Sequence, residues 1–266
     1  MAYTLRLSDD ELLRYRRMAE AAREQEATFW RQAGIVPGAR VGDIGCGPGL
    51  TLCELAKAVA PGGHAVGVER EAEVAETAVA VLEREGIANA GVQIGDAART
   101  GLPARSFDAV MMRHVLAHNG GREQEIVDHL ASLVRPGGHV YLVDVDATAI
   151  RMMPPQEPEL EELSERYWEL HRRLGNDVSV GLRLPHLLAA ARLEVVATQG
   201  MFNALPRTPD FRGPPWAARA SLVEHGLASE ADVERWDAAY ERDGATPGLK
   251  LVYFPVIWAI GRRSAG

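Results

Sequence analysis

Val41-Gly42-Asp43-Ile44-Gly45-Cys46-Gly47-Pro48-Gly49 is the stretch on which the reading of the fold turns. Residues 40–44 predict a short strand, the glycines predict a tight turn, and an apolar helical pattern begins at Leu50. Glycine lets a turn close and lets a ligand approach the backbone. The helix that follows offers free N–H groups at its start. The spacing Gly45-x-Gly47-x-Gly49 is not the Gly-x-Gly-x-x-Gly of a dinucleotide site, which fails at Leu50. Asp43, immediately before the turn, would repel a pyrophosphate. It suits a cationic ligand group such as an ammonium, directly or through water.

Working outward, strands are expected at 40–44, 64–69, 92–95, 107–112 and 139–145, with helices at 50–59, 71–85 and 121–134 between them. Strands separated by helix-length segments imply crossover units and a parallel sheet with helices on both faces. A helix is expected over 8–33, with Ser8 and Glu11 as a capping box. Beyond residue 146, Pro154, Pro155 and Pro158 interrupt the pattern. Helices at 159–174, 183–191 and 229–242 and strands at 193–202 and 250–261 complete the expectation.

Two further acids fall at strand ends. Glu69 ends the second strand, where a carboxylate can accept both hydroxyls of a ribose. Arg70 beside it keeps a 2′-phosphate reading open. Asp96 ends the third strand and can accept an exocyclic amine. Strand-end acids also serve as helix caps. Three on successive parallel strands share the edge where open α/β sheets bind ligands.

The chain has 266 residues, 47% hydrophobic and 25% charged, which is ordinary for a globular protein. Its formal net charge of -8 argues against nucleic-acid or anionic-membrane partners, which need a basic surface. Two cysteines, Cys46 and Cys53, rule out a disulfide scaffold. A charged N-terminus and the lack of a long apolar run suggest neither a signal peptide nor a membrane span. The expected setting is cytoplasmic.

These stretches resemble the class I S-adenosylmethionine-dependent methyltransferases, in the broad group that includes UbiE-like enzymes. The matching segments are Val41–Gly49, Gly67–Glu69, Gly95–Ala97, Ser106–Val110, Arg113–Leu116 and Leu133–Gly138, in the family's order and spacing. Gly42 departs from the larger apolar residue usual there. The resemblance implies an α/β, Rossmann-like, seven-stranded, mostly parallel sheet with helices on both faces, a last strand running antiparallel, and a partly helical lid. The pattern along the chain divides it into a helical cap over 1–35, a cofactor-binding core over 36–150, a lid insertion over 151–192, and the last two strands over 193–266 with a second insertion at 206–248. The resemblance also implies S-adenosylmethionine as cofactor and S-adenosylhomocysteine as product. Asp43 and the loop of Gly45, Cys46, Gly47 and Gly49 would take the methionine part, Glu69 and Arg70 the ribose side, and Asp96 and Ala97 the adenine. The backbone near Arg113 would complete the site.

Methyl transfer from a sulfonium needs alignment and water exclusion, with a base only where the acceptor keeps its proton. His114 and His118 are four residues apart, so a helix there would place both on one face as candidate bases. No acidic partner stands at ligand spacing from them, so a metal is not expected. Tyr15, Tyr167, Trp168, His171 and Trp216 are the candidate substrate contacts among the aromatics of the added segments. The expected acceptor is a small, largely apolar or aromatic metabolite, methylated on O, N or C, as in natural-product tailoring. A cofactor-binding protein of this fold that transfers no methyl group is the alternative. An NADP-linked reductase is disfavoured, because Lys57 and Lys250 fit no Tyr-x-x-x-Lys motif. A homodimer is compatible with the sequence.

Overall fold

The computed structural model describes residues 9–153, 157–209 and 211–265. Its strands are β1 (Arg40–Ile44), β2 (His64–Glu69), β3 (Ala90–Ile94), β4 (Phe107–Arg113), β5 (Val134–Val145), β6 (Arg151–Met153), β7 (Glu194–Pro206) and β8 (Leu251–Arg262). Its helices are α1 (Asp9–Gln25), α2 (Ala27–Gln32), α3 (Leu50–Val59), α4 (Ala72–Arg84), α5 (Glu123–Leu133), α6 (Pro158–Arg173), α7 (Leu184–Ala190), α8 (Pro214–Ala217), α9 (Arg219–Glu224) and α10 (Glu230–Ala245).

The sheet order is β3-β2-β1-β4-β5-β8, with β7 on the outer side of β8. The first five strands are parallel, and β8 runs antiparallel to both β5 and β7. This is the Rossmann-like arrangement with the seven expected strands. One element was not expected: β6, three residues that pair with Leu251–Tyr253 on β8 and continue the lane of β5. Pro154 and Pro155 follow it directly, and proline is tolerated at the edge of a sheet rather than inside it.

Burial follows the two-residue period of a strand. On β4, Ala109 and Met111 join one core with Trp30, Leu52 and Trp258. Val110 and Met112 join the other core with Ile126, Leu130 and Leu187. Both faces are thus covered by helices, which explains the apolar run Ala109–Met112 of β4. A third core, built from Leu160, Leu163 and Leu170 of α6 with Leu222 and Trp236, holds the later helices together.

The helix expected over 8–33 is broken at Glu26 into α1 and α2. Glu26 is 1% exposed, and its carboxylate turns into the protein at the break. The Ser8 capping box lies outside the described residues. Among the described residues no helix is long and apolar enough to cross a membrane.

Candidate active site

The glycine turn closes over the end of β2. The amides of Gly45 and Cys46 donate to the Val68 carbonyl at 2.8 and 3.1 Å. Gly47 N–H donates to Glu69 Oε2 at 3.0 Å, while Oε1 accepts from the amides of Arg70 and Glu71 at 2.7 and 3.1 Å. Glu69 therefore fixes the turn. Gly49 caps α3 at φ +81°, and a Cβ there would stand 2.9 Å from Ala78 Cβ. At Gly47, φ +53°, a Cβ would meet nothing within 4 Å, so the turn presents bare backbone to open space. Cys46 is buried, and burial holds its thiol protonated well above the usual range.

Asp43 lies below this turn, 2% exposed, and its Oδ2 has no hydrogen-bond partner. Burial pushes its carboxyl up to about 7; the nearby Arg113 charge opposes that shift and the Glu69 charge adds to it. Arg113, at the end of β4, is held at 3.0 Å by Glu26 Oε1 and donates to His114 Nε2 at 2.9 Å. Glu26 Oε2 accepts from Tyr141 Oη at 2.9 Å and Trp30 Nε1 at 3.4 Å. A buried chain of polar groups thus runs from the α1–α2 break to the sheet edge. Glu26 escaped the sequence reading, although its spacing from Ala22 and Trp30 places it on the buried face of the helix.

His114 and His118 do not share a helix, so the common face that helical spacing would give them does not form. His114 adopts φ +55° at the end of β4, and only Leu116–His118 form a turn of 3-10 helix. Asp144 makes that geometry: Oδ2 accepts from Ala117 N–H at 3.2 Å and Oδ1 from Val145 N–H at 2.9 Å. Burial raises its carboxyl to about 6. His114 Nδ1 stands 4.0 Å from Asp144 Oδ1, too far for a hydrogen bond. Burial, then the Arg113 charge, holds the His114 ring neutral far below its usual range, so this pair is no ion pair. Asp146 caps a short turn by accepting from Thr148 N–H.

His118 instead faces α6. Its ring lies 5.3 Å from that of His171, which lies 4.4 Å from Tyr167, which lies 5.1 Å from Trp168. Burial lowers both His118 and His171 to about 4. His171 is 1% exposed; Asn176 Nδ2 stands 3.1 Å from its Nδ1, and its Nε2 has no partner. Burial also pushes the Tyr167 phenol upward.

The remaining residues are placed as follows. Asp96 is bound by Arg122 through two contacts of 2.6 and 3.1 Å and accepts from Ala98 N–H. The Arg122 contact, foremost, holds its carboxyl below the usual range. Ala97 packs partly buried on the second core. Arg70 turns toward Glu71 at 3.0 Å. Tyr15 packs partly buried on the first core under the guanidinium of Arg14. Trp216 is not brought to the histidines: it packs edge-on against Tyr240 and between Arg219 and Arg212. Arg122 and Asn176 were not anticipated, because their partners are 26 and 5 residues away with no motif linking them.

Residues 41–138 match a family described as a methyltransferase domain. The chain is 30% identical over 216 residues to an uncharacterised 37.1 kDa protein in a transposon of Streptomyces fradiae, covering 81% of this chain and 57% of that protein. It is 36% identical over 107 residues to the nocamycin O-methyltransferase of Saccharothrix syringae, covering 40% of this chain and 38% of that enzyme. The chain thus spans 57% or less of the length of these curated relatives. The crystal structure of the YcgJ protein of Bacillus subtilis superposes with a TM-score of 0.58 at 19% identity, covering 90% of this chain and 98% of that one, a likeness of fold.

Proposed function

Since residues 41–138 form a class I S-adenosylmethionine-dependent methyltransferase domain, we propose that the chain transfers the methyl group of S-adenosylmethionine to a small, largely apolar or aromatic metabolite. The observation that carries this reading is the partnerless buried oxygen of Asp43 beneath an open glycine turn. A buried acceptor without a donor is costly, and a cationic ligand relieves it. The residues therefore fit the cofactor. Asp43 and the turn from Gly45 to Gly49 hold its methionine part, Glu69 its ribose, and Asp96 and Ala97 its adenine side, with the Arg113 backbone completing the wall. The bound cofactor supplies an activated methyl group on sulfur.

The chain's task is then alignment and exclusion of water. The insertions over 151–192 and 206–248 act as the lid, with the N-terminal segment as a cap. Tyr167 and Trp168 supply flat apolar surface to the acceptor. His118 is unprotonated at neutral pH and accepts the hydrogen bond of an acceptor hydroxyl, orienting its oxygen and receiving its proton. His114, whose Nε2 accepts from Arg113, positions Arg113 rather than taking a proton. Trp216 serves lid packing. The name of the nocamycin relative supports a natural-product acceptor and O-methylation, and two buried free cysteines support a reducing cytoplasmic setting.

Purified protein given S-adenosylmethionine and a panel of phenolic and hydroxylated polyketide acceptors should release S-adenosylhomocysteine. His118→Asn should lower kcat by about 10²–10⁴-fold with cofactor affinity unchanged. Methylation of nucleic acid or protein but of no small molecule would overturn the reading.

A further inference from the structure

Away from the glycine turn, the structure buries two cations against one acceptor. Arg207 follows β7 and Lys250 precedes β8, and Arg207 N–H donates to the Lys250 carbonyl at 2.9 Å, so the two side chains start side by side. They are 2% and 8% exposed. Both reach for the same atom, Asp243 Oδ2 on α10, at 3.2 Å from Arg207 Nη1 and 3.6 Å from Lys250 Nζ. Among the described residues, Arg207 Nη1 otherwise meets only the Met152 sulfur at 3.7 Å, a weak acceptor. Arg207 Nε, Arg207 Nη2 and Lys250 Nζ have no hydrogen-bond partner among the described residues.

Among the described residues, two positive charges and one negative leave the cluster with a net charge of +1. The neighbouring charges are engaged elsewhere: Arg212 with Asp237 and Glu241, and Arg242 with Glu157 and Glu159. Buried charges persist where they are paired. A guanidinium fork beside an ammonium, with unmet donors on both, matches an oxyanion. Lys250 is also one of only two lysines in the chain.

We propose that Arg207 and Lys250 bind one oxyanion, a carboxylate or a phosphate group, where β6, the β7–β8 pair and α10 meet. Val256 pairs with Val145 at the end of β5. Lys250 lies further along the same strand, about 20 Å beyond at roughly 3.3 Å per residue. A small acceptor at the glycine turn does not span that distance. The ligand is a free oxyanion or the charged end of an elongated acceptor.

Titration calorimetry of the whole protein at fixed ionic strength, with inorganic phosphate, acetate and octanoate as probes, tests this. Binding of one anion per chain is expected. Lys250→Gln should weaken it about tenfold or more, and Asp243→Asn, which frees both cations, should tighten it about tenfold. The gain in Asp243→Asn is a result that misfolding cannot imitate. Octanoate binding about tenfold tighter than acetate assigns the site to the tail of an elongated acceptor; equal affinities, or a preference for phosphate, assign it to a free oxyanion. No binding of any probe up to about 10 mM, or binding indifferent to both substitutions, overturns the proposal.

Discussion

Asp43 faces opposite demands in the free and the ligand-bound protein. Burial makes its charged form costly, and its carboxyl titrates at about 7 rather than 3.8. A carboxyl raised in the folded state contributes stability that is full below the unfolded value and lost as pH rises through the folded one. Ionised Asp43 therefore weakens the free protein at pH 8, the form in which a cationic cofactor would be gripped. Asp43→Asn should raise the unfolding free energy by about 1–3 kcal/mol at pH 8 and change it little at pH 4. The same substitution should weaken S-adenosylmethionine binding by about tenfold or more. In the unaltered protein, affinity should climb between pH 6 and 8. Denaturant titrations at both pH values, paired with calorimetry, check this. A variant neither stabilised at pH 8 nor impaired in binding would remove Asp43 from the proposed site.

The turn after β4 and the end of α6 meet through backbone. A Cβ on Gly120 would fall on the Gly175 carbonyl, and Gly120 N–H reaches Asn176 Oδ1 at 3.4 Å. Asn176 in turn contacts His171. Gly120→Ala must therefore part the His118 turn from α6. A displacement of about 1 Å at such a site can cost about 10²-fold in rate. The expected outcome is a kcat lowered about 10–100-fold with cofactor affinity held within about twofold, read by steady-state kinetics and calorimetry. Unchanged kcat would place the His118–His171 pair outside the chemistry. This junction also shows where sequence reading stops. The elements from β1 to α5 were legible because each carries its own period and its own turn glycines. The fates of His114, His118 and Glu26 were not, because each is set by a partner on β5: the Val143 carbonyl, which accepts from His114 N–H at 2.8 Å, the Asp144 carboxylate and the Tyr141 hydroxyl. The spacing of His114 and His118 would share a face only on a helix, and Asp144 holds a 3-10 turn there instead. β6 was illegible for the same reason, since three residues have too little period to announce a strand that only β8 stabilises.

Across the whole molecule, the fold buries histidine rings neutral. His114, His118, His129, His139 and His171 are all lowered, burial being the largest cause in each. A histidine lowered in the folded state contributes stability that is present above about 6.5 and lost as pH falls toward 4, because the unfolded chain takes up the protons first. Asp43 and Asp144, raised to about 7 and about 6, act in the opposite sense over the same interval. Carboxylates lowered by arginine or serine contacts, such as Asp96 and Asp232, lose their contribution only below about 4. His118 and His171, lowered to about 4, offset the two raised carboxyls, and the lowering of His114, His129 and His139 tips the balance to the histidines. The urea midpoint should therefore be higher at pH 7.5 than at pH 5 at constant m. Replacing His118 and His171 together by Asn should flatten that slope. A midpoint equal or higher at pH 5 would mean that burial does not lower these rings in the folded protein.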